Sequence, residues 1–86
     1  MREIHLDGNW MQTKAEMHDY LIAKLDLPYY YGRNLDSLWN ILSKETEPMK
    51  IVITNPKAIA LGYGEVLIEM FRDLEKSNSN YRLDVL

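Results

Sequence analysis

The chain has no cysteine among its 86 residues. Disulfides, zinc–thiolate sites, iron–sulfur clusters and thiol nucleophiles are excluded with it. The absence fits a reducing cytoplasm. No apolar run approaches the ~20 residues needed to span a bilayer. The opening segment, Met1-Arg2-Glu3-Ile4-His5-Leu6-Asp7, lacks the apolar core of a signal peptide and reads as the first element of the fold. Basic residues are in the minority, 10 Lys and Arg against 13 Asp and Glu, for a net charge of −3. That balance argues against a nucleic-acid binder, which would need a basic face. It permits a partner that is itself basic. Proline and glycine number only three and four, so each one is informative as a boundary signal.

What is present is the composition of a folded soluble globule, 47% apolar and 27% charged. A chain this long is expected to make a single domain over residues 1–86, burying about 60% of the surface its unfolded form exposes. It is too small to enclose a large cofactor and keep a core, and no cofactor is expected. There are no repeats, linkers or low-complexity tracts.

Residues 3–7 alternate as a short half-buried strand, and Asp7-Gly8-Asn9 is turn chemistry. Thr13-Lys14-Ala15-Glu16 matches a capping box, after which Met17, Tyr20, Leu21 and Leu25 recur at helical spacing over 14–25. Residues 26–34 form a loop stiffened by Pro28 and three tyrosines, with Asn34 as an N-cap. Leu35, Leu38, Trp39, Ile41 and Leu42 predict a second helix running to about Glu45. Pro48 breaks it. Ile51-Val52-Ile53 is an unalternating β-branched run, suited to a central strand covered on both faces. Lys57 to Leu61 suggests a short helical piece, and Gly62-Tyr63-Gly64 a break. Val66, Leu67, Met70, Phe71 and Leu74 give the last amphipathic helix. Tyr81, Leu83 and Val85 alternate as a final strand.

Strands separated by helices pair in parallel through crossovers. Right-handed crossovers then order them 1-2-3 with the middle strand central. The expected class is α/β, a three-stranded parallel sheet with three to four helices packed on it. Both crossovers place their helices on one face, which leaves Val52 short of cover unless the 56–63 segment wraps round.

Catalytic chemistry is hard to find. His5 lies on a strand and His18 mid-helix, with no metal-ligand spacing and no reason to converge as an acid–base pair. Both read as surface or packing residues. Gly62-Tyr63-Gly64 lacks the lysine and hydroxyl of a phosphate loop, and no nucleophile elbow exists. The chain is not expected to be an enzyme; a carboxylate enzyme is the remote alternative.

The stretch Leu27-Pro28-Tyr29-Tyr30-Tyr31-Gly32-Arg33-Asn34-Leu35-Asp36-Ser37-Leu38-Trp39 is unusual for a connector. Three adjacent tyrosines cannot all point inward from a loop. An exposed tyrosine is a favoured interface residue, adding area at low entropic cost. Gly32 allows positive φ and close approach by a partner. On a helical wheel Leu35, Leu38, Ile41 and Leu42 share one face. Asp36, Asn40 and Ser43 line a polar stripe beside it, and Trp39 stands at the border. That suits an interface hot spot. The competing reading makes Trp39 a core residue and Asp36 a complement to the helix dipole. On the last helix Asp73 sits beside the apolar stripe with Glu69 one turn earlier, where Glu69–Arg72 and Asp73–Lys76 would be ordinary surface pairs.

Those residues carry a resemblance. Tyr30-Tyr31-Gly32-x-Asn34-Leu35-Asp36-x-Leu38-Trp39 resembles the signature of the barstar family, intracellular inhibitors of secreted microbial ribonucleases of the barnase type. The Asp7-Gly8 turn, the Pro48 break and the Val66 to Arg72 helix correspond more loosely. The resemblance implies a barstar-like fold with no catalytic activity, in which the loop and second helix plug a ribonuclease active site. It places Tyr30, Gly32, Asn34, Leu35, Asp36, Trp39, Asn40 and Ser43 on the binding surface, with Asp73 in support. Three positions depart from the family. Asn40 stands where characterised inhibitors carry a central aspartate, Ser77 where a second acid often sits, and Arg33 adds a positive charge.

The expected function is therefore a cytoplasmic, non-catalytic inhibitor of a small basic ribonuclease or related nuclease toxin, an immunity protein monomeric when free. Neither a nucleic acid nor a membrane is an expected partner. The alternative is a regulatory or adaptor module of the same fold that binds a protein other than a nuclease.

Overall fold

A computed structural model describes residues 1–86. Strand β1 (Arg2–Asp7) runs into a 3-10 turn at Gly8–Trp10, then α1 (Lys14–Leu25), α2 (Leu35–Leu42) and β2 (Met49–Thr54). A second 3-10 turn (Pro56–Ala58), α3 (Tyr63–Ser77) and β3 (Tyr81–Val85) complete the chain. The sheet is parallel, in the order β1-β2-β3. An α/β fold with a three-stranded parallel sheet ordered 1-2-3, barstar-like, is what these elements make.

Period-2 alternation decides which strand residues enter the core. Ile4 lies beside Ile51, and Ile51 beside Leu83; Leu6 lies beside Ile53, and Ile53 beside Val85. The fully buried Leu6, Ile51 and Ile53 meet Met17 and Leu21 of α1, Leu38 of α2, and Leu67, Phe71 and Leu74 of α3 in one core.

Val52 points to the opposite face and lies outside that core, yet it is buried. The 56–63 segment does not cover it. Ile59 enters the main core, and the Ala60 amide donates to the Met11 carbonyl at 2.8 Å. The cross-strand neighbours of Val52 are His5 and Asp84. Around it His5 pairs with Glu3 at 2.8 Å and Lys50 with Asp84 at 3.3 Å. Long polar side chains lying along the sheet thus do what a helix layer does on the other face.

Three local expectations are corrected. The Thr13 hydroxyl accepts from the Glu16 amide at 3.1 Å, but no bond returns from the Glu16 side chain, so half of the capping box forms. Helix α2 stops at Leu42 and not near Glu45. There the Leu42 carbonyl takes the buried Tyr81 hydroxyl at 2.7 Å, and the Glu45 amide bonds back to it three residues away, tightening the last turn. Gly64 is no break. It lies inside α3, where a β-carbon would stand 2.8 Å from the Ile59 side chain. The boundary residue is Gly62, at φ +77°.

Candidate functional site

The loop before α2 is built on one polar residue. Asn34 caps the helix by accepting from the Ser37 amide at 2.8 Å, and its Nδ2 donates back to the Gly32 carbonyl at 3.1 Å. The Gly32 amide donates to Ser37 Oγ at 2.8 Å. Loop and first helical turn therefore form one bonded unit. Gly32 does not take a positive φ; Arg33 does, at +54°. A β-carbon at position 32 would crowd Asn34 and Ser37 at 3.2–3.3 Å, so glycine serves close packing within the loop.

The three tyrosines divide. Tyr29 is fully exposed and Tyr30 is 68% exposed, their rings edge to face at 5.6 Å, while Tyr31 is 7% exposed. The Tyr31 amide bonds to the Pro28 carbonyl at 3.0 Å, which closes a turn that holds the outer pair up. Below it the Tyr31 hydroxyl meets His18 Nδ1 at 2.7 Å, and burial pushes the phenol pKa up to about 12. Arg33 reaches Asp19 at 2.8 Å and the Ala15 carbonyl at 3.3 Å on α1.

Beside this ridge, α2 and α3 leave a shallow groove of about 270 Å³ between them. Leu35, Trp39, Val66 and Met70 form its apolar wall, and Asp36, Glu69 and Asp73 its acidic rim. Trp39 is half-buried, packed on the core on one side and lining the groove on the other. Trp39 therefore meets both the core and the surface hollow. The ion pairs in the molecule are Asp19–Arg33 and Lys50–Asp84, and Glu3 also holds the His5 ring. The surface pairs Glu69–Arg72 and Asp73–Lys76 do not form, so the three rim carboxylates face the groove without a cation of their own.

A second hollow, of about 310 Å³, is lined by Tyr30, Ser37, Asn40, Ile41 and Lys44. All but one of the sequence-selected residues thus fall in three places. Leu35, Asp36, Trp39 and Asp73 line the first groove, and Tyr30 and Asn40 the second. Gly32 and Asn34 build the loop. Ser43 lines neither hollow; it ends α2, with its hydroxyl donating to the Asn40 carbonyl at 3.3 Å.

Sequence reasoning missed Val66, Glu69 and Lys44 as surface-defining residues. Val66 belonged to the predicted apolar stripe of α3 but is 52% exposed at the groove. Its spacing to Glu69, Met70 and Asp73 on one helical face was the available signal. Lys44, one turn after Asn40, puts a positive charge beside a neutral amide that supplies no negative one.

The arrangement offers no acid–base pair. His5 stands on the open sheet face while His18 is buried under the loop. No group of three or more His, Asp or Glu side chains is placed to hold a metal ion, and no helix is long and apolar enough to cross a membrane. What the surface offers is a projecting aromatic pair, an apolar groove and uncompensated negative charge.

Known proteins are similar to this sequence. One from Bacillus subtilis (strain 168), named "Putative ribonuclease inhibitor YrdF", is 45% identical over 56 residues, covering 64% of this chain and 62% of the relative. The matched stretch is thus less than two thirds of that protein's length. Residues 1–85, sheet, loop and groove together, match the family described as Barstar (barnase inhibitor), and the chain belongs to that family.

Proposed function

We propose that this protein is a non-catalytic inhibitor that plugs the active site of a small basic microbial ribonuclease or related nuclease toxin, acting in the cytoplasm. The observation that carries the reading is the Asp36–Glu69–Asp73 rim over an apolar wall, left without internal cations beside the exposed Tyr29–Tyr30 pair. A ribonuclease binds a polyanion with basic side chains, so a surface presenting carboxylates at its cleft occupies the places of phosphates. Asp36 supplies the central charge with Asp73 in support. Tyr30 and Trp39 are the aromatic anchors, and Leu35 extends the apolar contact. Asn34 and Gly32 hold the loop, and Asn40 and Ser43 add neutral polar contacts.

Asn40, with Lys44 beside it, favours a second reading, in which the same surface binds a protein that is not a nuclease. Titration of the purified protein against barnase and a panel of small basic ribonucleases, at low and high salt with RNA cleavage as readout, separates the two. The inhibitor reading expects a one-to-one complex that suppresses cleavage and weakens as salt rises. No complex with any of them at micromolar concentration and low salt overturns it.

A further inference from the structure

The loop that presents Tyr29 and Tyr30 is held from below by a side chain that no family signature residue explains. His18 is 2% exposed, in the middle of α1. Its Nδ1 meets the Tyr31 hydroxyl at 2.7 Å and its Nε2 meets the Tyr63 hydroxyl at 3.3 Å. One imidazole thus joins α1, the loop and the start of α3. The two lengths fit one tautomer: Tyr31 donates its hydroxyl proton to Nδ1, and Nε2–H donates to Tyr63.

We propose that His18 is a positioning residue for the docking loop, and that its protonation loosens the Tyr31 anchor and weakens partner binding as pH falls below neutral. The positioning claim stands on the loop geometry; its consequence for binding rests on the docking surface proposed above. Protonation turns Nδ1 from acceptor to donor, so it confronts the Tyr31 hydroxyl proton. That hydroxyl makes no other hydrogen bond. It must surrender its donor role, or Tyr31 must leave, and Tyr30 is the adjacent residue.

The surrounding charges leave His18 as the group that switches. Lys14 and Asp19 face it from α1, Tyr31 and Arg33 from the loop, and Tyr63 from α3. Burial first, then Arg33 and Lys14, hold its pKa below the ordinary imidazole value; Asp19 opposes them but is engaged with Arg33 at 2.8 Å. Burial raises both tyrosine pKa values, which keeps the phenols neutral throughout the range in which a histidine titrates.

Amide hydrogen exchange between pH 5.5 and 7.5 tests the claim, read as protection factors at the Tyr31 and Gly32 amides, both hydrogen-bonded within the loop. In the unaltered protein these are expected to fall about fivefold toward pH 5.5, the scale of one net hydrogen bond, while β2 amides hold. His18→Asn places a carboxamide near the Nδ1 position but does not titrate, so protection persists and the pH dependence flattens. Tyr31→Phe keeps the ring and loses the bond, lowering loop protection about fivefold at pH 7.5. The ratio of wild-type to His18→Asn dissociation constants for barnase should rise about fivefold over the same range, because the ratio cancels the enzyme's own titration. A loop profile that is flat in wild type, or that survives in His18→Asn, overturns the proposal. If neither barnase nor any other ribonuclease of the panel binds, the docking reading fails separately while the exchange profiles still decide the positioning claim.

Discussion

Asp36 occupies the first turn of α2, where the free amides of the helix end favour a negative charge. It is exposed, lines the groove, and has no basic residue within ion-pair distance. In the free protein its removal costs little; in a complex it loses a charge-assisted contact with a basic partner. Asp36→Ala should therefore leave the denaturation midpoint nearly unchanged while weakening binding to a cognate ribonuclease by about 2 kcal/mol, near thirtyfold. Asp73→Ala, at the far rim, should act more through the association rate and its salt dependence. Stopped-flow association at two ionic strengths distinguishes them, and equal, salt-independent losses would contradict the electrostatic role. Asn40 poses the converse case. With Lys44 in the same hollow, Asn40→Asp should strengthen binding to barnase about tenfold or more if the charge at this position is what the family interface uses. Isothermal titration of the pair of variants measures it.

Much of the element plan is legible because its periodicities are strong. Ile4 and Leu6 alternate, Ile51-Val52-Ile53 runs unbroken, and α1 and α3 repeat at helical spacing. The ends of elements are less so, since they depend on distant partners. Nothing near Leu42 in sequence says that a hydroxyl 39 residues away will take its carbonyl, nor that Ile59 will fill the space that makes position 64 a glycine inside a helix. The site divides in the same way. Asp36 and Trp39 are readable from one helix wheel. Val66 and Glu69 join the site only because the crossover lays α3 alongside α2. Which of three adjacent tyrosines turns inward depends on His18, thirteen residues earlier. Asn34 is the point at which local chemistry alone was sufficient: an N-cap read from sequence, with the cap bond present at 2.8 Å. Asn34→Ala should destabilise the protein by about 1 kcal/mol and also release the Gly32 carbonyl, while Asn34→Asp restores the cap and not the second bond. Urea midpoints should then rank wild type, Asp, Ala in falling stability, and loop exchange should be raised in both variants. A loss in Ala with no loop effect in Asp would assign the whole role to the cap.

At the scale of the molecule, ionisable groups buried on the helical side of the sheet and at its strand ends set a window of stability. His18 has its folded pKa held below the unfolded value near 6.5. Between those two values the unfolded chain binds more protons, so stability is complete above about pH 6.5 and is lost as pH falls through the folded pKa. Tyr31 and Tyr81 act on the other side. Burial, the larger cause in each, pushes both phenols up to about 12 from an ordinary value of 10.0, and burial raises Tyr63 as well. Between pH 10 and 12 the folded chain keeps protons that the unfolded chain has lost. Stability is then complete below 10 and falls as pH rises, by about 1.4 kcal/mol per pH unit for each such phenol. Thermal melts across pH 5 to 11.5 should show a plateau from about 7 to 10 with a decline on both flanks. His18→Asn should lessen the acid decline and leave the alkaline one. Tyr81→Phe should lessen the alkaline decline while lowering the plateau, because the Leu42 carbonyl loses its hydroxyl donor. An acid flank that is the same with and without His18 would contradict this assignment. Asp7 acts lower on the pH scale: the Asn9 amide and then the Asn55 side chain hold its pKa below the ordinary carboxylate value, so its contribution is intact throughout this flank and is lost only in stronger acid.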